Sequence, residues 1–330
     1  MHKPEPSSDT DEHGQRPLIG AVSTNSAWRD DDFDVVDCLD ERNGAVYEVR
    51  EKATGKIMVR RTFTVYRGVP PRKQLLHDLL LISNEHPNII SFYGAYMLPS
   101  SRRIEILTEF AEGRSLEDIG ARLKERNAIL GERIGERIAG NLVEGVLQGL
   151  AYLQSKKTTH RNIHPSNILV TRTGVIKLCD SIALASLERL SEGSRLSSNM
   201  TFYMAPERIL GENHTIRADV WSTGLCLLEL AQQRYPYSGE LSILEVLQSI
   251  VNDKPPQLED EPGMEWSDDM KDFIKQMLTV DVQTRPTPMD LLAHPWVVDT
   301  SSMKQKIDME KWIRQLWGWP RPRDDQSVVR

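Results

Sequence analysis

Short apolar runs separated by turn residues open the patterned part of the chain, from Asp34 onward. Val35-Val36-Asp37-Cys38-Leu39, Val46-Tyr47-Glu48-Val49 and Ile57-Met58-Val59 have the length and β-branched content of strands, and Asn43-Gly44 and Thr54-Gly55-Lys56 predict turns between them. A helix is expected around Arg72 to Ser83. Ile89 to Tyr93 and Ile104 to Thr108 predict two more strands, which complete a five-stranded antiparallel sheet ending near Glu109. Beyond it the period lengthens: Ile134, Ile138, Leu142, Val146, Leu150 and Leu153 recur three or four residues apart, as one buried helix face requires. Trp266-Ser267-Asp268-Asp269 predicts a further helix start, with Ser267 as N-cap and two acids at the positive end of the dipole. The expectation is an α+β fold of two lobes, a small sheet lobe over about 33–109 and a larger, mainly helical lobe over about 110–300.

Residues 1–32 are rich in Pro, Ser, Asp and Glu and hold few large apolar groups, so burial cannot offset their ordering entropy; they are expected to form a disordered tail. The 330 residues contain 39% apolar side chains, ample for a core. No apolar run approaches the roughly 18 residues a membrane span needs, and Met1 to Asp11 has no apolar signal segment, so a soluble, cytoplasmic protein is expected. Cys38, Cys179 and Cys226 are far apart and lack metal-ligand spacing, which fits structural thiols in a reducing compartment. A net charge of -7 argues against a broad nucleic-acid surface and favours protein or nucleotide partners.

The stretch Thr159-His160-Arg161-Asn162-Ile163-His164-Pro165-Ser166-Asn167-Ile168-Leu169-Val170 resembles the protein kinase catalytic loop, H-R-D-x-x-x-x-N, with Asn162 in the place of the aspartate. Taken with Gly145 through Leu150, Ile176-Lys177-Leu178-Cys179-Asp180, Tyr203 through Ile209 and Trp312 through Trp319, the chain over roughly 33–300 is most similar to the MAP kinase kinases, of the fungal cell-wall-integrity type. The resemblance implies a bilobal kinase fold, ATP and Mg²⁺ as cofactors, an upstream MAP kinase kinase kinase and a downstream MAP kinase as partners, and a docking-type tail over 301–330.

Set on the family's pattern, the chemical positions depart while the scaffold positions do not. An asparagine at 162 can hydrogen-bond but is essentially non-basic, so it cannot take the substrate's proton. His164 replaces the catalytic-loop lysine; an imidazole holds its proton only part of the time near neutral pH, and the residue reads either as a satisfied loop histidine or as a pH sensor. In the phosphate loop Leu39, Gly44 and Val46 match, but Asp40 and Arg42 stand where the first two glycines should let the backbone approach the phosphates. Arg61 takes the place of the strand-three lysine and Asp78 that of its glutamate partner, as a structural ion pair or a weak nucleotide contact.

Asp180 and Asn167 match the two Mg²⁺ ligands, although Ser181-Ile182-Ala183 follows Asp180 in place of Phe-Gly. By resemblance, Glu207 pairs with Arg285, and Asp219 accepts backbone donors of the catalytic loop. The serine-rich segment from Asp180 to Glu207 is either a phosphorylation-ordered segment, with Arg161 as receptor, or a flexible polar loop. Arg16-Pro17-Leu18-Ile19 is a poor match to the family's N-terminal docking motif. Lys311 through Trp319 matches the family tail, either as an upstream-kinase docking element or as a helix packed on the domain's own large lobe. These features together predict a degenerate, pseudokinase-like member that regulates, scaffolds or acts as a decoy in a MAP kinase cascade. A weakly active dual-specificity kinase and an ATP-gated switch are the alternatives.

Overall fold

The computed structural model describes residues 28–40, 46–64, 86–98, 103–130, 133–179, 201–212, 215–237, 239–301 and 308–320. Gly44, the segment expected to carry Asp78, Asp180 with the serine-rich segment as far as Met200, and Arg16 to Ile19 lie outside these residues. The small lobe is a five-stranded antiparallel sheet of β1 (Phe33–Asp40), β2 (Val46–Glu51), β3 (Ile57–Thr64), β4 (Phe92–Leu98) and β5 (Arg103–Glu109), in the order β1-β2-β3-β5-β4. Gly55, at φ +73°, makes the turn between β2 and β3 in the region where glycine alone is unstrained.

The fourth strand begins later than the apolar run suggests. Ile89 and Ile90 are both buried, and they join the large lobe: Ile90 N–H donates to the Leu178 carbonyl and Leu178 N–H to that of Asn88, each at 2.9 Å. An unbroken apolar run does not reveal which neighbour will cover it.

One face of the sheet carries Phe33, Val49, Met58, Tyr96 and Leu107 as a core of its own, with Trp28 packed against it. Trp28 sits on Gly94, where an added Cβ would come within 2.7 Å of the indole, and donates its Nε1–H to Glu51 at 3.1 Å.

The large lobe is built from α1 (Leu116–Leu130), α2 (Glu136–Ser155), α3 (Pro206–Ile209), α4 (Ile216–Gln232), α5 (Ile243–Asn252), α6 (Asp268–Met277), α7 (Pro288–Leu292), α8 (Pro295–Ser301) and α9 (Met309–Trp317), with the hairpin β6 (Ile168–Val170) and β7 (Ile176–Leu178). The predicted face of α2 is the buried one: Leu142, Val146, Leu150 and Leu153 enter the core, and Ile134 does so from just before the helix. Gly145 and Gly149 let α2 lie directly on β7, since a Cβ at either would come within 3 Å of Ile176 or Leu178. Ser267 caps α6 as expected, accepting the Met270 N–H at 3.2 Å. Helix α4 is buried along nearly its whole length, with Asp219, Ser222 and Thr223 among its buried residues. No disulfide links the three cysteines; Cys38 is exposed, and Cys179 and Cys226 are buried. Among the described residues no helix is long and apolar enough to cross a membrane.

Candidate active site

The loop between α2 and β6 brings His160, Asn162, His164 and Asn167 together, and its shape is set from below by α4. Asp219, buried near the start of that helix, accepts the backbone N–H groups of His160 and Arg161, both at 2.8 Å. Burial pushes the Asp219 carboxyl up to about 6, against those two hydrogen bonds, which favour the charged form. Arg161 takes a left-handed conformation, φ +63°, and its carbonyl receives Arg208 Nη1 at 2.9 Å. The backbone of the loop is therefore fixed by groups that do not depend on the identity of residues 162 and 164.

His160 lies fully inside this frame. Burial pushes its imidazole down to about 3, so it is neutral at physiological pH, and its Nδ1 accepts the Asn162 N–H at 3.4 Å. Asn162 is only 6% exposed. The Asn167 amide nitrogen donates to the Asn162 carbonyl at 2.9 Å and contacts His164 Nε2 at 2.8 Å. An amide nitrogen can only donate, so His164 Nε2 is the acceptor in this contact. The ring at the expected lysine position thus serves as a hydrogen-bond acceptor for its neighbour.

This orientation leaves Asn167 Oδ1 toward the Cys179 thiol at 3.9 Å, a weak donor that does not compete with a cation for the oxygen. Asn167 fits as one hard oxygen ligand for Mg²⁺. Its expected companion, Asp180, is outside the described residues, and among those residues no group of three His, Cys, Asp or Glu is placed to hold a metal.

Across the cleft, strand register aligns the small-lobe positions. Asp40 pairs with Val46 and Val46 with Arg61, so the expected phosphate-loop strand and the arginine at the lysine position meet at one end of the sheet. Val46 is buried, Arg61 half-buried, and Leu39 is 44% exposed. Of the residues singled out from sequence, Leu39, Val46 and Arg61 form one group and Asn162, His164 and Asn167 another. Gly44, Asp78 and Asp180 are not placed.

The two scaffold pairings are present. Arg285, fully buried, makes a two-pronged bond to Glu207 at 2.8 and 3.0 Å and donates also to the carbonyls of Thr279, Arg217 and Val280. Sequence reasoning missed a polar group behind the interlobe connection. Lys177 Nζ lies 2.9 Å from Glu109 Oε2, which also accepts from the backbone and hydroxyl of Ser91. A lysine flanked by Ile176 and Leu178 in a three-residue strand was the available signal. In the C-terminal tail, α9 packs on the large lobe: Ile313 and Leu316 are buried in the main core and Trp312, Trp317 and Trp319 lie against it.

A family profile for the protein kinase domain matches residues 42–297. The chain is 38% identical over 299 residues to the mitogen-activated protein kinase kinase MKK2 of Pyricularia oryzae, covering 87% of this chain and 54% of that protein. It is 37% identical over 280 residues to the MAP kinase kinase skh1/pek1 of Schizosaccharomyces pombe, covering 83% and 75% respectively. To the MAP kinase kinase MKK1/SSP32 of Saccharomyces cerevisiae it is 36% identical over 283 residues, covering 83% and 54%. The chain spans 53 to 56% of the length of the first relatives it matches.

Proposed function

This chain belongs to the protein kinases, among the MAP kinase kinases, and from that premise we propose that it is a pseudokinase, a MAP kinase kinase fold that acts as a regulator, decoy or scaffold in a MAP kinase cascade. The observation that carries the reading is Asn162. It lies buried in a loop whose backbone frame is complete, yet its amide cannot take the proton of an attacking hydroxyl. Loss of that base alone suffices to remove most of the rate, because residues acting as a unit do not contribute additively. Two neighbours support it: His164, at the expected lysine position, is held against the Asn167 amide, and Asp40 pairs in register with Val46 where a glycine would admit phosphate.

In this reading residues 33–300 are the kinase-like unit, 1–32 an N-terminal tail and 301–330 a docking-type tail. The partners are an upstream MAP kinase kinase kinase and a downstream MAP kinase, met in the cytoplasm. ATP with Mg²⁺, when bound, would supply the phosphoryl group and the charge that screens it. Asn167 and Asp180 would hold the metal, and Leu39, Gly44, Val46, Arg61 and Asp78 would line the nucleotide side.

One observation favours a second reading, a dual-specificity kinase of low activity. The Asn167 amide is bonded to the Asn162 carbonyl with its oxygen left for a cation, so part of the positioning on which phosphoryl transfer depends is in place. The deciding experiment follows transfer from labelled ATP to a kinase-dead MAP kinase by wild type and by Asp180→Ala. Equal background from both is expected. Transfer that vanishes in Asp180→Ala would replace the pseudokinase with an enzyme. A saturable rise in melting temperature with ATP and Mg²⁺, without transfer, would identify an ATP-gated switch.

A further inference from the structure

Between β5 and α1 the chain crosses from one lobe to the other, and it is held at both ends. At the first end Glu109 is bonded to Lys177 and Ser91, as described above. At the second end the backbone lies hard against β6. A Cβ on Gly113 would come within 2.5 Å of the Val170 carbonyl oxygen, and Val170 N–H donates to the Arg114 carbonyl at 2.9 Å. Arg114 itself adopts φ +65°, a conformation that side-chain-bearing residues seldom take unless surrounding contacts impose it.

Further contacts come from the other end of the chain. Trp317 Nε1–H donates to the Gly113 carbonyl at 3.1 Å, and the Arg114 guanidinium lies over the Trp317 ring, 5.2 Å from its centre. Helix α9 is a firm base for that indole. Ile313 and Leu316 are buried, Arg122 and Arg126 donate to the carbonyls of Leu316 and Gln315 at its C-terminal end, and Gly318 closes it in the left-handed conformation. The same tail grips the β6–β7 hairpin: Met309 occupies the space that Gly174 leaves open, and Arg172 lies over the ring of Trp319. On the solvent side, Arg114 and Trp317 form part of the wall of an open groove of about 590 Å³ lined also by Asp118, Ala121, Arg122 and Glu125.

We propose that α9 is a latch on the interlobe linker. Trp317 holds Gly113 and Arg114 in place, and through the Arg114–Val170 bond it holds β6, so undocking the helix loosens the linker and the floor of the cleft as one unit. Reciprocity follows: a ligand in the cleft that needs the linker in this conformation tightens α9, and a protein that draws α9 away weakens such a ligand. The inference does not depend on whether the protein transfers phosphate.

Hydrogen exchange on the full chain tests it. Trp317→Phe keeps the ring and removes the donor; Arg114→Asn removes the guanidinium and leaves a residue that tolerates positive φ. Each should speed amide exchange over 110–116 and 168–170 by roughly fivefold, the change expected from losing one net interaction of this kind. The double variant should fall short of the product of the two. Arg114→Asn touches no core residue, so it remains informative if Trp317→Phe folds poorly. Arg172→Gln, which severs only the Trp319 contact, should leave the linker unchanged. Faster exchange confined to α9, or an equal effect on the linker from Arg172→Gln, would overturn the latch.

Discussion

On the large-lobe wall of the cleft, Asp219, Arg208 and Asn167 bond the backbone of the loop that carries Asn162, whereas on the small-lobe wall strand register sets Val46 beside Arg61, and Leu39, at a break in the β1–β2 register, is 44% exposed. The same contrast runs through the charged clusters behind each wall. Arg285 meets Glu207 with two bonds of 2.8 and 3.0 Å and spends its remaining donors on three carbonyls. On the small-lobe sheet Glu105 is as deeply buried, but Arg103 and Arg60 approach it only to 3.7 and 4.0 Å, and its short partner is the Thr62 hydroxyl at 2.7 Å. Burial accordingly raises the Glu105 pKa, opposed only in part by Thr62 and the two arginines. Among the described residues, the Arg285–Glu207 pair is bonded at every donor, whereas the two arginines meet Glu105 only at longer range.

Arg285→Met gives the largest effect. It leaves Glu207 charged and unpaired inside the lobe, and unfolding in urea should show a loss of about 3–5 kcal/mol. A loss below about 1 kcal/mol would erase the contrast between the lobes.

His160→Asn sharpens it on the large-lobe side through pH. The imidazole is pushed down to about 3 from an ordinary 6.5, so the unfolded chain binds the extra proton throughout that interval and wild type loses the corresponding stability as pH falls. The variant should gain on wild type by about 1.4 kcal/mol for each pH unit between pH 6 and 4, read from urea midpoints. Asp219, raised to about 6 from 3.8, acts with the opposite sign, since the folded chain binds more protons there and gains stability as pH falls. It is present in both proteins and cancels in the difference. A constant gap across this range would remove His160 from the buried frame.

Glu105→Gln should cost under about 1 kcal/mol, because the amide keeps an acceptor for Thr62 and sheds a charge that burial already disfavours. A penalty matching that of Arg285→Met would make the two lobes alike. Smallest of all, Asn162→Asp should leave phosphate transfer at background, with His164, Asp40 and Arg61 unchanged on either wall. Full turnover by this single variant, in the labelled-ATP assay, would place the whole deficit in one side chain.

The strands, the α2 face and the Ser267 cap were legible along the chain because periodicity and capping are local, set by backbone geometry and by burial of one face. The readings of Asn162, His164, Asp40 and Arg42 as departures from the family's motifs rest on residue type at a fixed spacing alone. Glu207 with Arg285 and Asp219 beneath the loop could be expected only through the family's pattern, the partners being 78 and 58–59 residues apart. What nothing along the chain announced was which apolar run would bridge the lobes, how loosely Glu105 would be met, that His164 would turn its lone pair to Asn167, or that Trp317 would reach back 204 residues to the carbonyl of Gly113. Composition and spacing determine which groups a chain owns and how each segment folds by itself. Only the packed structure decides which groups meet, because desolvation and hydrogen bonding depend on distances that the order of residues does not contain.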